Sequence, residues 1–203
     1  MLQRTLLALF ALVFVWSAIR PHDYFTWGLE VFPAVIGLAL LVATRSSFPL
    51  TPLLYTLLFL HAVILAVGGH YTYAEVPLGA WARDAFGLAR NHYDRVGHFA
   101  QGFVPAMLAR EILIRRNAVR GRGWLYFMIV SICLAISAAY ELLEWSVSAA
   151  TGSKGDAFLG TQGDVWDTQK DMALALLGAI TAPLLLGRLH DRQLARLGGP
   201  ENR

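Results

Sequence analysis

Cysteine is nearly absent: Cys133 is the single one in 203 residues, and it lies inside an apolar run. That excludes an intrachain disulfide and any metal cluster built on thiolates. Charge is scarce too, at 15% of residues, against the ~25% usual in soluble domains. No Gly-x-Ser-x-Gly elbow or Cys–His pair offers a nucleophile, and the absence of His-Glu-x-x-His disfavours a zincin. There is no internal repeat, no low-complexity tract, and no alternation of the kind a membrane β-barrel needs.

What the chain has is apolar residue, 56% of it, with a mean hydropathy of +0.49. Six runs stand out, over about 4–20, 29–44, 51–68, 95–115, 124–150 and 166–187. Each approaches or exceeds the ~17–25 residues that cross a bilayer as a helix, and lipid leaves backbone groups no partner outside a helix or closed barrel. The expectation is an all-α integral membrane protein, a bundle of about six transmembrane helices forming one domain over residues 1–203. Met1–Arg20 resembles a signal peptide, but Trp16 and Arg20-Pro21 stand where small residues would mark cleavage, so it reads as an uncleaved first span.

The net charge of +3 and pI near 9.2 report topology rather than nucleic-acid binding. Arg115, Arg116, Arg120 and Arg122 crowd the fourth–fifth connection, Arg188, Arg192, Arg196 and Arg203 the tail, and Arg45 the second–third loop. The fifth–sixth loop sets Lys154 against Asp156 and Asp164. Basic loops stay inside, so both termini are expected to be cytoplasmic in a bacterial inner membrane. The long outer loop, residues 69–94, is broken by Gly68-Gly69, Pro77, Gly79 and Gly87, with an interfacial helix expected over Leu78–Arg90.

Against this background the acids are conspicuous. A carboxylate at membrane depth is costly and normally faces a bundle interior or a wet cavity. Asp94 and His98 are spaced i, i+4 at the opening of the fourth span, with Gln101 three further on; Glu141 and Glu144 share a face of the fifth. Asp164, Asp167 and Asp171 form a stripe entering the sixth. By the topology, all three clusters lie at the outer ends of their helices. Plainer roles are open to some: Asp164 as an N-cap, Asp94 as a first-turn acid favoured by the helix dipole, Arg95 as a partner of one glutamate, and Arg110-Glu111 as an inner-end pair. His61 and His70 suit structural roles, and Trp145 and Trp166 suit interfacial anchors.

Hard oxygen ligands with one histidine would suit a divalent cation, with His98, Glu144, Asp167 and Asp171 as its ligands. Close carboxylate pairs would instead share a proton and serve as acid and base. Three roles follow for Asp94, His98, Glu141, Glu144, Asp167 and Asp171: chemistry on a lipid-linked or phosphorylated headgroup, with His98 oriented by Asp94; ion, proton or lipid binding and transport; or polar glue between helices. Gly163-x3-Asp167-x3-Asp171 matches half of a motif found in CDP-alcohol phosphotransferases. The other half requires Asp where Ala149 stands, and the site would face outward, so that family is excluded.

YDRVGHFAQG (Tyr93–Gly102), AYELLEW (Ala139–Trp145) and GDVWDTQKDMALALLGA (Gly163–Ala179) together resemble the YjdF-like family of bacterial inner-membrane proteins of unknown function. The layout is more distantly similar to VanZ-like proteins, whose Asp-Lys-x-x-His-Phe, Glu-x-x-Gln and Asp-x-x-x-Asn-x-x-Gly blocks align with Asp94, His98 and Phe99, with Glu141, and with Asp167. Glu144 and Asp171 replace the amides of that pattern, and the spacing to Gly178 differs. The resemblance implies a six-span fold and a site location, and no activity.

Overall fold

The computed structural model describes residues 1–152, 158 and 160–197; Lys154, Asp156 and Arg203 of the expected loop and tail charges lie outside these. Among the described residues the chain is helical without strands: α1 Leu2–Ala18, α2 Tyr24–Thr44, α3 Pro52–Tyr71, a 3-10 turn Tyr73–Glu75, α4 Pro77–Phe86, α5 Tyr93–Arg115, α6 Arg122–Thr151 and α7 Asp167–Leu197. Four of these, α2, α3, α6 and α7, are long and apolar enough to cross a membrane. The α1 helix is apolar but shorter, at 17 residues, and α5 carries too many polar groups to stand in lipid alone. Leu40, Val42, Leu142, Leu184 and Leu185 are exposed on the helix flanks, as a lipid-facing surface requires.

The helix ends differ from the apolar runs for local reasons. The second helix begins five residues before the apolar run because Asp23 caps it, its carboxylate accepting from Thr26 N at 2.7 Å. The third continues through Gly68-Gly69, where a break was expected. The Tyr73 ring occupies the space a Cβ on Gly68 or Gly97 would need, at 2.3 and 2.8 Å, so these glycines serve close packing inside helices. The interfacial helix is shorter than expected and stops at Gly87, in the left-handed conformation at φ 62°. The seventh helix runs ten residues beyond the apolar stretch, as an amphipathic extension to Leu197.

Packing centres on α5 against α7. Gly102 faces the Ala175 carbonyl and Gly178 faces the Phe99 carbonyl, so the two backbones touch through small residues, the standard device where no hydrophobic effect drives helices together. The α6 helix packs on both; α3 joins them from the other side and carries α1 and α2. A dry layer of Leu54, Ala106, Met107, Ile129, Cys133, Ala179 and Ala182 fills the middle.

Below that layer, at the end where α3 begins and α5 finishes, sits a buried charged clamp. Glu111 accepts from Thr51 Oγ1 at 2.8 Å, from Thr51 N at 3.2 Å and from Arg115 Nη1 at 2.8 Å, and lies 2.9 Å from His190 Nε2. The expected Arg110–Glu111 pair is not formed. Adjacent helical residues point apart, and Arg110 reaches Asp191 at 2.6 Å and His190 Nδ1 at 2.8 Å instead. Because breaking a buried pair strands its partners, Glu111→Ala should destabilise the fold by about 3–5 kcal/mol. Thermal unfolding in detergent reads this directly; a wild-type melting temperature would show that Glu111 holds nothing.

Candidate functional site

The other end of the bundle gathers the remaining acids. The starts of α5 and α7, the last third of α6 and the first turns of α2 all lie there, because successive long helices alternate in direction. His98 is at the centre, one turn into α5 and 6% exposed. Its Nε2 lies 3.4 Å from Asp94 Oδ1 and 4.0 Å from Asp171 Oδ2, and its Nδ1 lies 3.6 Å from Glu141 Oε1 and 3.1 Å from Gln101 Oε1. Both ring nitrogens thus face acceptor oxygens; a neutral ring that donates Nδ1–H to Gln101 would present Nε2 between two carboxylates, the form in which it could ligate a metal ion.

Two groups have ligand atoms mutually within 4.8 Å: Asp94, His98 and Asp171, and His98, Glu141 and Glu144. Bonds of ~2.0–2.2 Å to one ion place its ligands roughly 3–4 Å apart, the range observed around Nε2. Two of the carboxylate oxygens here, Glu141 Oε1 and Asp171 Oδ1, are buried without a hydrogen-bond partner, as is Tyr140 Oη. A buried acceptor left empty costs about 1–3 kcal/mol, so a cation or a proton at either oxygen would be stabilised.

The structure thus brings Asp94, His98, Glu141, Glu144 and Asp171 to one place, across three helices. Asp167 is set aside from them. It is 4% exposed and bound to Arg90 Nη1, which also lies 3.8 Å from Asp164, while Arg90 Nη2 lies 3.6 Å from Asp94. Asp164 is not on the α7 stripe but ahead of the helix, where it accepts from Trp166 N at 3.1 Å and from Lys170 at 2.6 Å. Lys170, the Trp166 N–H and Arg95 hold its carboxyl below the usual range. Arg95 therefore pairs with Asp164, at 2.9 Å, and with no glutamate, because it points outward from α5 while the glutamates lie inward. His70 is structural, its ring between Trp16 and Tyr71 and its Nδ1 3.0 Å from the Ser17 carbonyl.

Sequence reasoning missed two residues here. Glu30 is 5% exposed and shares a cavity with Asp94, His98, Tyr140 and Glu144; a lone acid within the apolar run GLEVFPAVIG was the available signal. Arg90 follows α4 in a mixed loop and gave none. Its guanidinium also donates to the Gly160 and Thr161 carbonyls at 3.1 Å each, tying the loop before α7 over the site.

The DUF2238 family of predicted membrane proteins matches residues 2–192. The chain belongs to this family. It is similar to the inner membrane protein YjdF of Escherichia coli strain K12, 56% identical over 187 residues that cover 92% of this chain and 90% of that protein. No solved structure matches. The resemblance carried by the motifs around His98, Glu141 and Asp171 is thereby shown to extend along nearly the whole chain, and this is a membrane protein of the YjdF kind.

Proposed function

We propose that this is a multi-pass inner-membrane protein whose His98-centred site binds a divalent cation near the periplasmic face and uses it for acid/base chemistry on a lipid-linked or phosphorylated headgroup. The single observation carrying the reading is His98 standing at the vertex of two buried ligand groups, Asp94–Asp171 and Glu141–Glu144, with unpartnered carboxylate oxygens in both. All-oxygen ligation plus one imidazole suits Mg, Mn or Zn. The cation would polarise a phosphoryl or carbonyl oxygen, and Asp94 would orient His98. The basic residues at the opposite end of the bundle, Arg45, Arg115, Arg116, Arg120 and Arg122, support cytoplasmic termini and an outward site.

A proton or ion conduit is the weaker reading. His98 and Glu111 are thirteen residues apart on α5, roughly 20 Å, and the layer between them is apolar, formed by Ala106, Met107, Cys133 and Ala179.

Metal analysis of the detergent-purified protein beside Glu144→Gln and Asp171→Asn tests the proposal. About one divalent ion per chain is expected in the wild type, with a clear fall in both variants while each keeps its helical content and melting behaviour. An unloaded wild type, after incubation with Mg, Mn and Zn in turn, removes the cation from the reading.

A further inference from the structure

A cleft of about 680 Å³ runs from the His98 end of the bundle to the opposite end, between α1, α2 and α3 on one side and α5 and α6 on the other. Its volume falls within the ~300–1,000 Å³ of ligand-holding pockets. The α2 wall is one helical stripe, Glu30, Pro33, Ala34, Gly37, Leu38 and Leu41, while Phe32, Val35, Ile36 and Leu40 point outward and are exposed. A Cβ on Gly37 would meet nothing within 4 Å, so the cleft is open there. At the end where α1 begins and α2 finishes, Arg4 and Arg45 stand at its mouth. Neither guanidinium has an ion-pair or hydrogen-bond partner among the described residues.

We infer that this cleft seats one phospholipid of net negative headgroup charge, its phosphate at Arg4 and Arg45 and one acyl chain lying between α2, α3 and α5. A slot that is apolar through its middle, with two unpaired cations at its mouth, is complementary to an amphiphile of net negative head. Arg45 and Glu30 are fifteen residues apart, roughly 22 Å along the helix. One leaflet provides about half of a ~30 Å hydrocarbon core. A chain anchored at Arg45 therefore ends near Ala34 and leaves the polar end, with Glu30, Tyr140 and Glu144, free. The site does not depend on a cation at His98.

The test is photolabelling in phosphatidylcholine vesicles that carry a small fraction of either phosphatidylglycerol or phosphatidylcholine with a diazirine on the acyl chain, followed by peptide mapping. The phosphatidylglycerol probe should label Leu38, Leu41, Tyr55 and Leu58, on the order of tenfold more than the phosphatidylcholine probe at equal loading. The Arg4→Gln/Arg45→Gln double variant, which touches no packed residue, should erase that preference. Gly37→Trp, which fills the cleft, should remove the cleft label and spare the outward positions Val35 and Leu40. Labelling confined to outward positions in the wild type, equal labelling by the two probes, or cleft labelling unchanged by Gly37→Trp each overturns the inference. The wild-type metal content leaves all of these readings unaffected.

Discussion

Gly178→Ala, the smallest change available at that position, is expected to destabilise the protein by about 3 kcal/mol, the upper end of the usual cost of overpacking. A Cβ at Gly178 would lie 2.2 Å from the Phe99 carbonyl oxygen and 2.8 Å from the Phe103 nitrogen. Both are backbone atoms of α5, so no side-chain rotation can make room and the two helices must separate. The added methyl otherwise favours the helix by about 0.8–1 kcal/mol, which makes the sign of the effect diagnostic. Gly28→Ala is the control, since a Cβ there meets nothing within 4 Å, and it should melt at or above the wild-type temperature. The consequence extends to the site. His98 is carried by α5 and Asp171 by α7, so a shift that relieves the clash also widens the 4.0 Å between them. Gly178→Ala should lose stability and bound cation together; wild-type behaviour in both would mean that the helices do not meet through these glycines.

That dependence on close approach marks where sequence reasoning reached its limit. Periodicity put Asp94 with His98, Glu141 with Glu144, and Asp167 with Asp171 on common faces, and topology set the three pairs at one depth; the structure places five of these six around one position. Rotation of each helix about its own axis was not legible. It decides that Asp171 turns to His98 while Asp167 turns to Arg90, a contact made 77 residues away along the chain. Arg90 and Asp164 lie outside regular helices, where no periodicity exists to read. Glu30 was legible as an isolated acid in an apolar run, but one residue carries no direction. The glycine pair at Gly68-Gly69 was read through its chain-breaking tendency, whereas Tyr73 against Gly68, and Glu30, Trp27 and Val31 against Gly69, give it a packing role that only the folded neighbourhood reveals. The Glu111 clamp shows the same limit: Glu111 finds Thr51 and His190, separated from it by 60 and 79 residues, and adjacency to Arg110 predicted neither.

The second large effect is expected at His98, because it alone belongs to both ligand groups. A ligand that binds only the folded state stabilises it by about 2.7 kcal/mol at a hundredfold excess over Kd, which for a chain of this size is roughly 5–10 °C in melting temperature. Chelator should therefore lower the melting temperature of the wild type by several degrees, and readdition of the ion should restore it. In His98→Ala the chelator should change nothing. Removing the imidazole also takes away the ring nitrogens that Asp94, Glu141 and Asp171 face, so the variant should melt below the chelated wild type as well. Glue makes a different prediction. If His98 merely ties α5 to α6 and α7, the variant melts lower but the wild type is indifferent to chelator from the start. A wild type that responds to chelator beside a His98→Ala variant that responds equally would place the ion elsewhere, and would sever the link between this histidine and the function proposed for it.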